Sequence, residues 1–153
     1  MALKSDRHEF LTDMSFFTNF VATRGYVLVH NSSGSGAAMD QASAYVALPT
    51  GAAGVSGTNP VGLLLNDVVN YDLTRQHINW HKDEVQVGGK VLLLRRGWVV
   101  TNAVSGTPTA GDKAYYNALG ELTPTAVANS TQVGRFLSAK DADGYAKVDI
   151  NIQ

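Results

Sequence analysis

The chain has 153 residues, of which 44% are hydrophobic and 16% are charged, and its formal net charge is −1. This length suits a single domain with a real core, and the charge gives no long-range attraction to nucleic acid or an anionic membrane. The absence of cysteine excludes disulfide bonds, thiolate metal sites and cysteine nucleophiles. No apolar run approaches the about 20 residues of a membrane-spanning helix. We therefore predict neither a nucleic-acid partner nor a membrane partner.

Residues 1–24 differ from the rest because they hold four of the five phenylalanines. Aromatic and methionine side chains recur there at helical spacing, which leaves two predictions open. The segment forms one amphipathic helix over residues 6–22, or it forms an ordered extended arm with aromatic anchors. Such an arm either docks on a partner or covers the open end of the chain's own β-core. The candidate partner-binding residues in this segment are Phe10, Met14, Phe16, Phe17 and Phe20.

From Gly25 onward the apolar residues occur in short segments that are separated by Gly, Pro and Asn, a pattern typical of β-strands and turns. The first three predicted strands cover residues 25–30, 44–48 and 61–65. Asp40 is the single charged residue between Gly25 and Asn66. A stretch so poor in charge either packs within the domain or faces another subunit.

Residues 70–84 form a polar, charged excursion in which no strand or helix is predicted. His77 and His81 are the best metal candidates, since on a helix they would share a face. The His-Glu-x-x-His order of zinc hydrolases is absent, and a solvated polar segment is the favoured interpretation. We predict no metal and no cofactor. The remaining candidate partner-binding residues lie in this segment and are Tyr71, Arg75 and Trp80.

The last third of the chain is rich in strand signals. Residues 90–95 and 98–104 are two predicted strands separated by Gly97, and their consecutive apolar residues indicate burial on both faces. Shorter strands follow, and the last of them alternates cleanly between apolar and polar side chains. Breaks every 8–12 residues are typical of an all-β sandwich or barrel. We predict an all-β fold, with an N-terminal arm over residues 1–24 and a β-barrel-like domain over residues 25–153. The shorter strands are predicted at residues 113–116, 121–123, 132–138 and 146–152.

Candidate chemical sites are few. Residues 141–144 begin like a calcium loop, but Ala146 stands where that loop needs glycine and Ile152 where it needs glutamate. A hairpin turn is the favoured interpretation. Arg95 and Arg96 suggest either a nucleic-acid patch or salt bridges at a subunit boundary, and the net charge favours the boundary. No catalytic constellation stands out, and we predict that the chain is not an enzyme.

A fixed order of short motifs runs through the last third. Arg96-Gly-Trp-Val-Val-Thr is followed by Thr109-Ala-Gly-Asp-Lys-Ala-Tyr115, Gly120-Glu-Leu-Thr, Val133-Gly-Arg-Phe and Val148-Asp-Ile. This order resembles the small capsid decoration, or cement, proteins of tailed bacteriophages. The resemblance covers roughly residues 60–153 and rests on the joint order of the motifs. The arm of residues 1–24 and the excursion of residues 70–84 depart from the family pattern.

The resemblance implies a small β-barrel-like fold, often trimeric, on the outside of an icosahedral head, without enzyme activity or cofactor. The expected function is that of a structural virion protein, made in the host cytoplasm. It would bind the outer surface of a bacteriophage capsid through the major capsid protein, as a homotrimer, and stabilise contacts between capsomers. A trimer makes its second and third contacts at high effective concentration, so modest single contacts combine into tight attachment.

Two other functions stay open. The chain is alternatively a glycan-binding β-module of a phage tail fibre or baseplate, in which Trp80 and Tyr71 stack on a sugar. A zinc enzyme that uses His77 and His81 is the third possibility.

Overall fold

The computed structural model describes residues 3–18, 20–30, 45–47, 59–65, 84–126 and 130–153. These residues form strands and no helix, which confirms the all-β prediction. None of them forms a helix that is long and apolar enough to cross a membrane. The strands are β1 (Leu3–Asp13), β2 (Phe17–Thr18), β3 (Ala22–Thr23), β4 (Val27–His30), β5 (Tyr45–Ala47), β6 (Pro60–Leu64), β7 (Glu84–Val85), β8 (Leu93–Thr101), β9 (Lys113–Tyr116), β10 (Leu122–Thr123), β11 (Gly134–Phe136) and β12 (Ala146–Asn151).

One large sheet dominates the fold, in the order β10-β9-β11-β12-β8-β6-β4-β5-β2, with β1 paired beside β8. The sheet curls into a nearly closed barrel because the chain just after β8 returns to β10. The Leu122 amide donates to the Ala103 carbonyl at 2.9 Å, and the Ser105 amide donates to the Leu122 carbonyl at 2.7 Å. Five strands, from β8 through β12, β11 and β9 to β10, therefore surround a common interior.

The interior of the barrel is an apolar cluster that strand alternation builds. In β12, Val148 and Ile150 are buried whereas Asp149 and Asn151 are exposed, as the sequence pattern predicts. Because the sheet is nearly closed, inward side chains from many strands meet in one place. The cluster comprises Leu3, Val27, Val29, Leu63, Leu65, Leu94, Val99, Val104, Ala114, Tyr116, Leu122, Val133, Phe136, Ala146, Val148, Ile150 and Ile152.

A second apolar cluster lies on the opposite face of β4, β6 and β8. Adjacent residues of β8 point to opposite faces there, since Leu94 packs into the first cluster and Leu93 into the second. The predicted burial of both faces is therefore confirmed for this part of β8. The small β3–β7 pair contributes Ala22 and Val85 to the cover over the second cluster. Its other buried members are Leu28, Val61, Leu64 and Val91.

The helical alternative for the N-terminal segment is wrong, and the extended alternative is confirmed. Residues 3–13 form β1, which pairs antiparallel with β8 from Leu3 opposite Thr101 to Asp13 opposite Leu93. An isolated helix of this length gains little in water, whereas the edge of β8 offers the backbone a row of hydrogen-bonding partners. The division into an arm of residues 1–24 and a domain of residues 25–153 stays a prediction.

The predicted break between two strands at Gly97 is also wrong, because β8 runs through it as one strand. Gly97 has a positive φ of 143°, and a β-carbon there would lie 2.1 Å from the carbonyl oxygen of His8. The glycine therefore allows β1 to approach β8 closely, and it does not end the strand.

Candidate functional site

Phe10 and Met14 are the most exposed of the candidate partner-binding residues in the described part of the chain. Their exposed fractions are 71% and 48%, and that of the neighbouring Leu11 is 49%. The pairing of β1 with β8 shifts register between Glu9 and Leu11, so Phe10 falls outside the paired positions. The Arg96 guanidinium lies 5.2 Å from the centroid of the Phe10 ring, close enough for a cation–π contact.

Phe16, Phe17 and Phe20 are half-buried. Phe16 and Phe20 pack against the second apolar cluster, and the ammonium of Lys90 lies 5.7 Å from the Phe17 ring centroid. The edge of the Phe16 ring meets His30, with ring centroids 5.6 Å apart. Partial burial is the main cause that lowers the pKa of His30 below its ordinary value, and Arg95 adds to it.

The structure thus separates four of the five N-terminal candidates into two groups. Phe10 and Met14 present apolar surface to solvent, whereas Phe16 and Phe20 cover the chain's own core. Partner binding stays a prediction for all five.

The other sequence candidates lie outside the described residues. Tyr71, Arg75 and Trp80, and the histidine pair His77 and His81, all fall between residues 65 and 84. Among the residues that the structure does describe, no three His, Asp or Glu side chains cluster closely enough to hold a metal ion.

The hairpin turn at residues 141–144 is confirmed, and its carboxylate has defined partners. Asp141 Oδ1 accepts hydrogen bonds from the amides of Tyr145 at 2.8 Å and Asp143 at 3.0 Å. These bonds, chiefly the one from Tyr145, lower the pKa of Asp141 below its ordinary value. The ammonium of Lys4 lies 3.3 Å from Asp141 Oδ2, which ties the start of β1 to the turn.

Sequence reasoning missed a surface that only the strand register reveals. We call it the outer face, meaning the solvent-facing side of β1, β8, β12, β11 and β9. Its central row is set by successive cross-strand pairs, each between adjacent strands. The residues of that row are His8, Trp98, Asp149, Arg135 and Lys113. Each side chain shows in the sequence as a single polar or aromatic position within a strand, and the spacing gives no sign that they align.

Cations outnumber carboxylates among the β8, β9, β11 and β12 residues of the outer face. The ammonium of Lys147 lies 3.5 Å from the centroid of the Trp98 ring, which is half-buried. Asp149 is the one carboxylate that these four strands place on this side. No described carboxylate lies within salt-bridge distance of any of the cations. The four cationic residues are Arg96, Lys113, Arg135 and Lys147.

Residues 19–151 match the model of a family described as structural cement protein (E217 gp24/Pam3 gp6). The chain belongs to this family of phage cement proteins. No curated protein matches the chain.

The family match confirms the resemblance drawn from the strand motifs. This cement protein is therefore a structural, capsid-stabilising component of a phage, and it is associated with the virion capsid. The family is a structural class and not a class of enzymes. The matched residues include β8, β9, β11 and β12 of the outer face, whereas β1 with Phe10 and Met14 lies before them.

Proposed function

We propose that this cement protein binds the outer surface of a bacteriophage capsid as a homotrimer. In this proposal it contacts the major capsid protein and stabilises contacts between capsomers, after synthesis in the host cytoplasm. Family membership supports the association with the capsid. The observation that supports attachment through β1 is its exposure, since seven of its 11 residues are exposed and Leu3 alone is buried.

The exposed side chains of β1 suit a protein partner. Phe10, Leu11 and Met14 present neighbouring apolar surface, and such surface marks a site of protein contact when it is contiguous. Burying one large apolar side chain stabilises a complex by about 1.5–3 kcal/mol. These residues accordingly supply apolar contacts to the capsid protein.

The backbone of β1 adds a second kind of contact. Its pairing with β8 occupies one edge, and no described strand pairs with the other edge. An unpaired edge is a template for an added strand from a partner. An extended segment of the major capsid protein is the partner proposed for this edge.

Avidity supports the proposed homotrimer, because a capsid shell presents the same binding site many times. Three equivalent attachments on one particle bind far more tightly than one, because the second and third are intramolecular. A symmetric trimer also offers a place to bury the charge-poor stretch between Gly25 and Asn66.

The test of capsid attachment uses Phe10→Ala and purified capsid shells that lack the protein. We expect the wild-type chain to co-sediment with the shells and Phe10→Ala to bind about tenfold more weakly, because it loses apolar contact area. Leu119→Ala is the matched control, since Leu119 is 64% exposed in the turn between β9 and β10.

Two outcomes contradict different parts of the proposal. Wild-type protein that stays in the supernatant contradicts binding to the capsid surface. Wild-type binding with Phe10→Ala equal to Leu119→Ala shows that β1 does not make the contact.

A further inference from the structure

The outer face concentrates positive charge in a chain whose overall charge is slightly negative. Four cationic side chains and one carboxylate project from β8, β9, β11 and β12, although the whole chain has a formal net charge of −1. The sequence scatters these residues between positions 96 and 147. The antiparallel register brings them to one side of the sheet, so the local potential over these four strands is positive.

The face also has the apolar anchors of a protein-binding surface. Trp98 and Val100 are half-buried on β8, Lys147 lies over the Trp98 ring, and Leu137, just after β11, is 44% exposed. The row from His8 to Lys113 crosses five strands and is roughly 19 Å long at about 4.8 Å per strand. Trp and Arg are the residues that most often dominate binding energy at protein interfaces.

One part of the outer face has a cationic side chain at a surface depression. A depression between β11 and β12 is lined by Gln132, Gly134, Arg135, Asp149 and Asn151. Arg135 is exposed there and has no described carboxylate within salt-bridge distance. Its planar guanidinium binds a carboxylate through two parallel hydrogen bonds. Asp149 is the one group in the depression that opposes an incoming anion.

We propose that the outer face docks on an acidic segment of the capsid shell. This inference rests on the proposed function and names the chemistry of the partner surface. Nucleic acid is the other polyanion that a cationic face attracts, but the observations favour protein. The family associates with the capsid, and the surface of a capsid is protein.

The experiment measures binding of the full-length chain to capsid shells that lack it, at roughly 50 mM and roughly 500 mM salt, because added salt screens charge pairs near a surface. We expect Arg135→Gln and Arg96→Gln each to bind about tenfold more weakly at the lower salt, and wild-type binding to weaken at the higher salt. Asp149→Asn removes the opposing charge and binds equally or more tightly.

Controls separate the site from overall charge and from folding. Ala126→Glu changes the net charge as much as Arg135→Gln does, at an exposed position outside the outer-face strands, and it is expected to bind like wild type. All four variants alter exposed side chains and should keep the wild-type thermal midpoint.

The results distinguish this inference from the proposed function. The inference is overturned, and capsid binding stands, if wild-type protein binds shells and both arginine variants bind as tightly as the wild type. It is also overturned if Asp149→Asn binds more weakly than the wild type. If wild-type protein does not bind shells at either salt, both are overturned. If the wild-type protein retains labelled double-stranded DNA and Arg135→Gln does not, the partner of the outer face is nucleic acid and the inference is overturned.

Discussion

Gly97 shows how one residue decides whether β1 can lie against β8. The site that a β-carbon would occupy is filled by the carbonyl oxygen of His8, 2.1 Å away, and the Phe10 amide nitrogen is 3.2 Å away. Both are backbone atoms, so a flexible side chain cannot move aside to relieve the contact. The positive φ of 143° adds a conformational cost for any residue with a β-carbon.

We expect Gly97→Ala to destabilise the protein by about 2 kcal/mol or more, because the strain and the clash add. Urea unfolding measures the stability, and hydrogen exchange of the β1 amides measures whether β1 detaches. Gly88→Ala is the matched control, since Gly88 also has a positive φ, of 79°, but nothing lies within 4 Å of its added β-carbon. Equal losses in the two variants, with β1 still protected, would show that the close approach at Gly97 is unimportant.

Asp141 makes the stability of the last hairpin dependent on pH. Its folded-state pKa is lowered below the ordinary 3.8, so folding favours the ionised carboxylate. The stabilisation is therefore present above the ordinary pKa and is lost as pH falls through the folded pKa.

We expect the wild-type protein to lose stability between about pH 5 and about pH 3 more steeply than Asp141→Asn, because the amide does not ionise. Urea unfolding at a series of pH values measures the difference. Asp143→Asn, in the same turn, is the control and keeps the wild-type slope. An Asp141→Asn slope equal to that of wild type contradicts the role of the turn carboxylate.

At the scale of elements, the N-terminal segment pairs with β8 and also packs on the second apolar cluster. Its sequence pattern does not separate these two roles. Helical spacing groups Phe10, Met14 and Phe17 on one face, yet Phe10 and Met14 are exposed and Phe17 lies in β2. The chain passes along the β8 edge as β1 and then crosses the second apolar cluster, where Phe16 and Phe20 pack. The helical spacing of the apolar residues gave a wrong prediction because it assumes one periodic element. Tertiary pairing instead divides the N-terminal segment between the edge of β8 and the second apolar cluster.

This division predicts different effects for two phenylalanines. We expect Phe16→Ala to lower the free energy of unfolding by about 2 kcal/mol, since it removes apolar contact from the second cluster. Phe10→Ala should change it by less than about 0.5 kcal/mol, since the ring is exposed. Urea unfolding of both variants tests this. A larger loss in Phe10→Ala than in Phe16→Ala would reverse the assignment of the two rings.

Deleting residues 1–24 is a blunt test of the arm. The deletion removes Leu3 from the first cluster and Ala22 from the second, together with all of β1. Single substitutions on β1 therefore report partner contact more cleanly than the truncation does.

At the scale of the whole molecule, two apolar clusters are covered and two exposed regions remain. The interior is filled by the first cluster, and the β3–β7 pair with Phe16 and Phe20 covers the second. The exposed strand β1 and the outer face remain, and they share the pairing of β1 with β8. The two proposed capsid contacts are thus neighbours on one side of the molecule.

The proposed homotrimer predicts a molar mass three times that of the protomer, since closed symmetry satisfies equivalent interfaces on every subunit. Size-exclusion chromatography with light scattering measures it over a range of concentrations. Phe10→Ala is expected to keep the trimeric mass, because Phe10 is assigned to the capsid contact and not to the subunit interface. A protomer mass at every concentration excludes the homotrimer.

The sequence by itself determined the fold class and the family. Alternation in β12, the turn residues of the β9–β10 and β11–β12 hairpins, and the order of the motifs from Arg96 to Ile150 are local signals. Local signals survive folding because turn geometry and side-chain alternation depend on neighbours in the chain. The family match over residues 19–151 confirms that interpretation.

Only the tertiary structure decided how distant segments meet. The pairing of β1 with β8, the role of Gly97 and the alignment of His8, Trp98, Asp149, Arg135 and Lys113 all depend on register between strands far apart in sequence. A shift by one residue would turn each strand's side chains to the other face, and no single segment encodes that choice. The register is set by the buried cluster as a whole. The composition of the outer face therefore depends on the tertiary structure and not on any one segment.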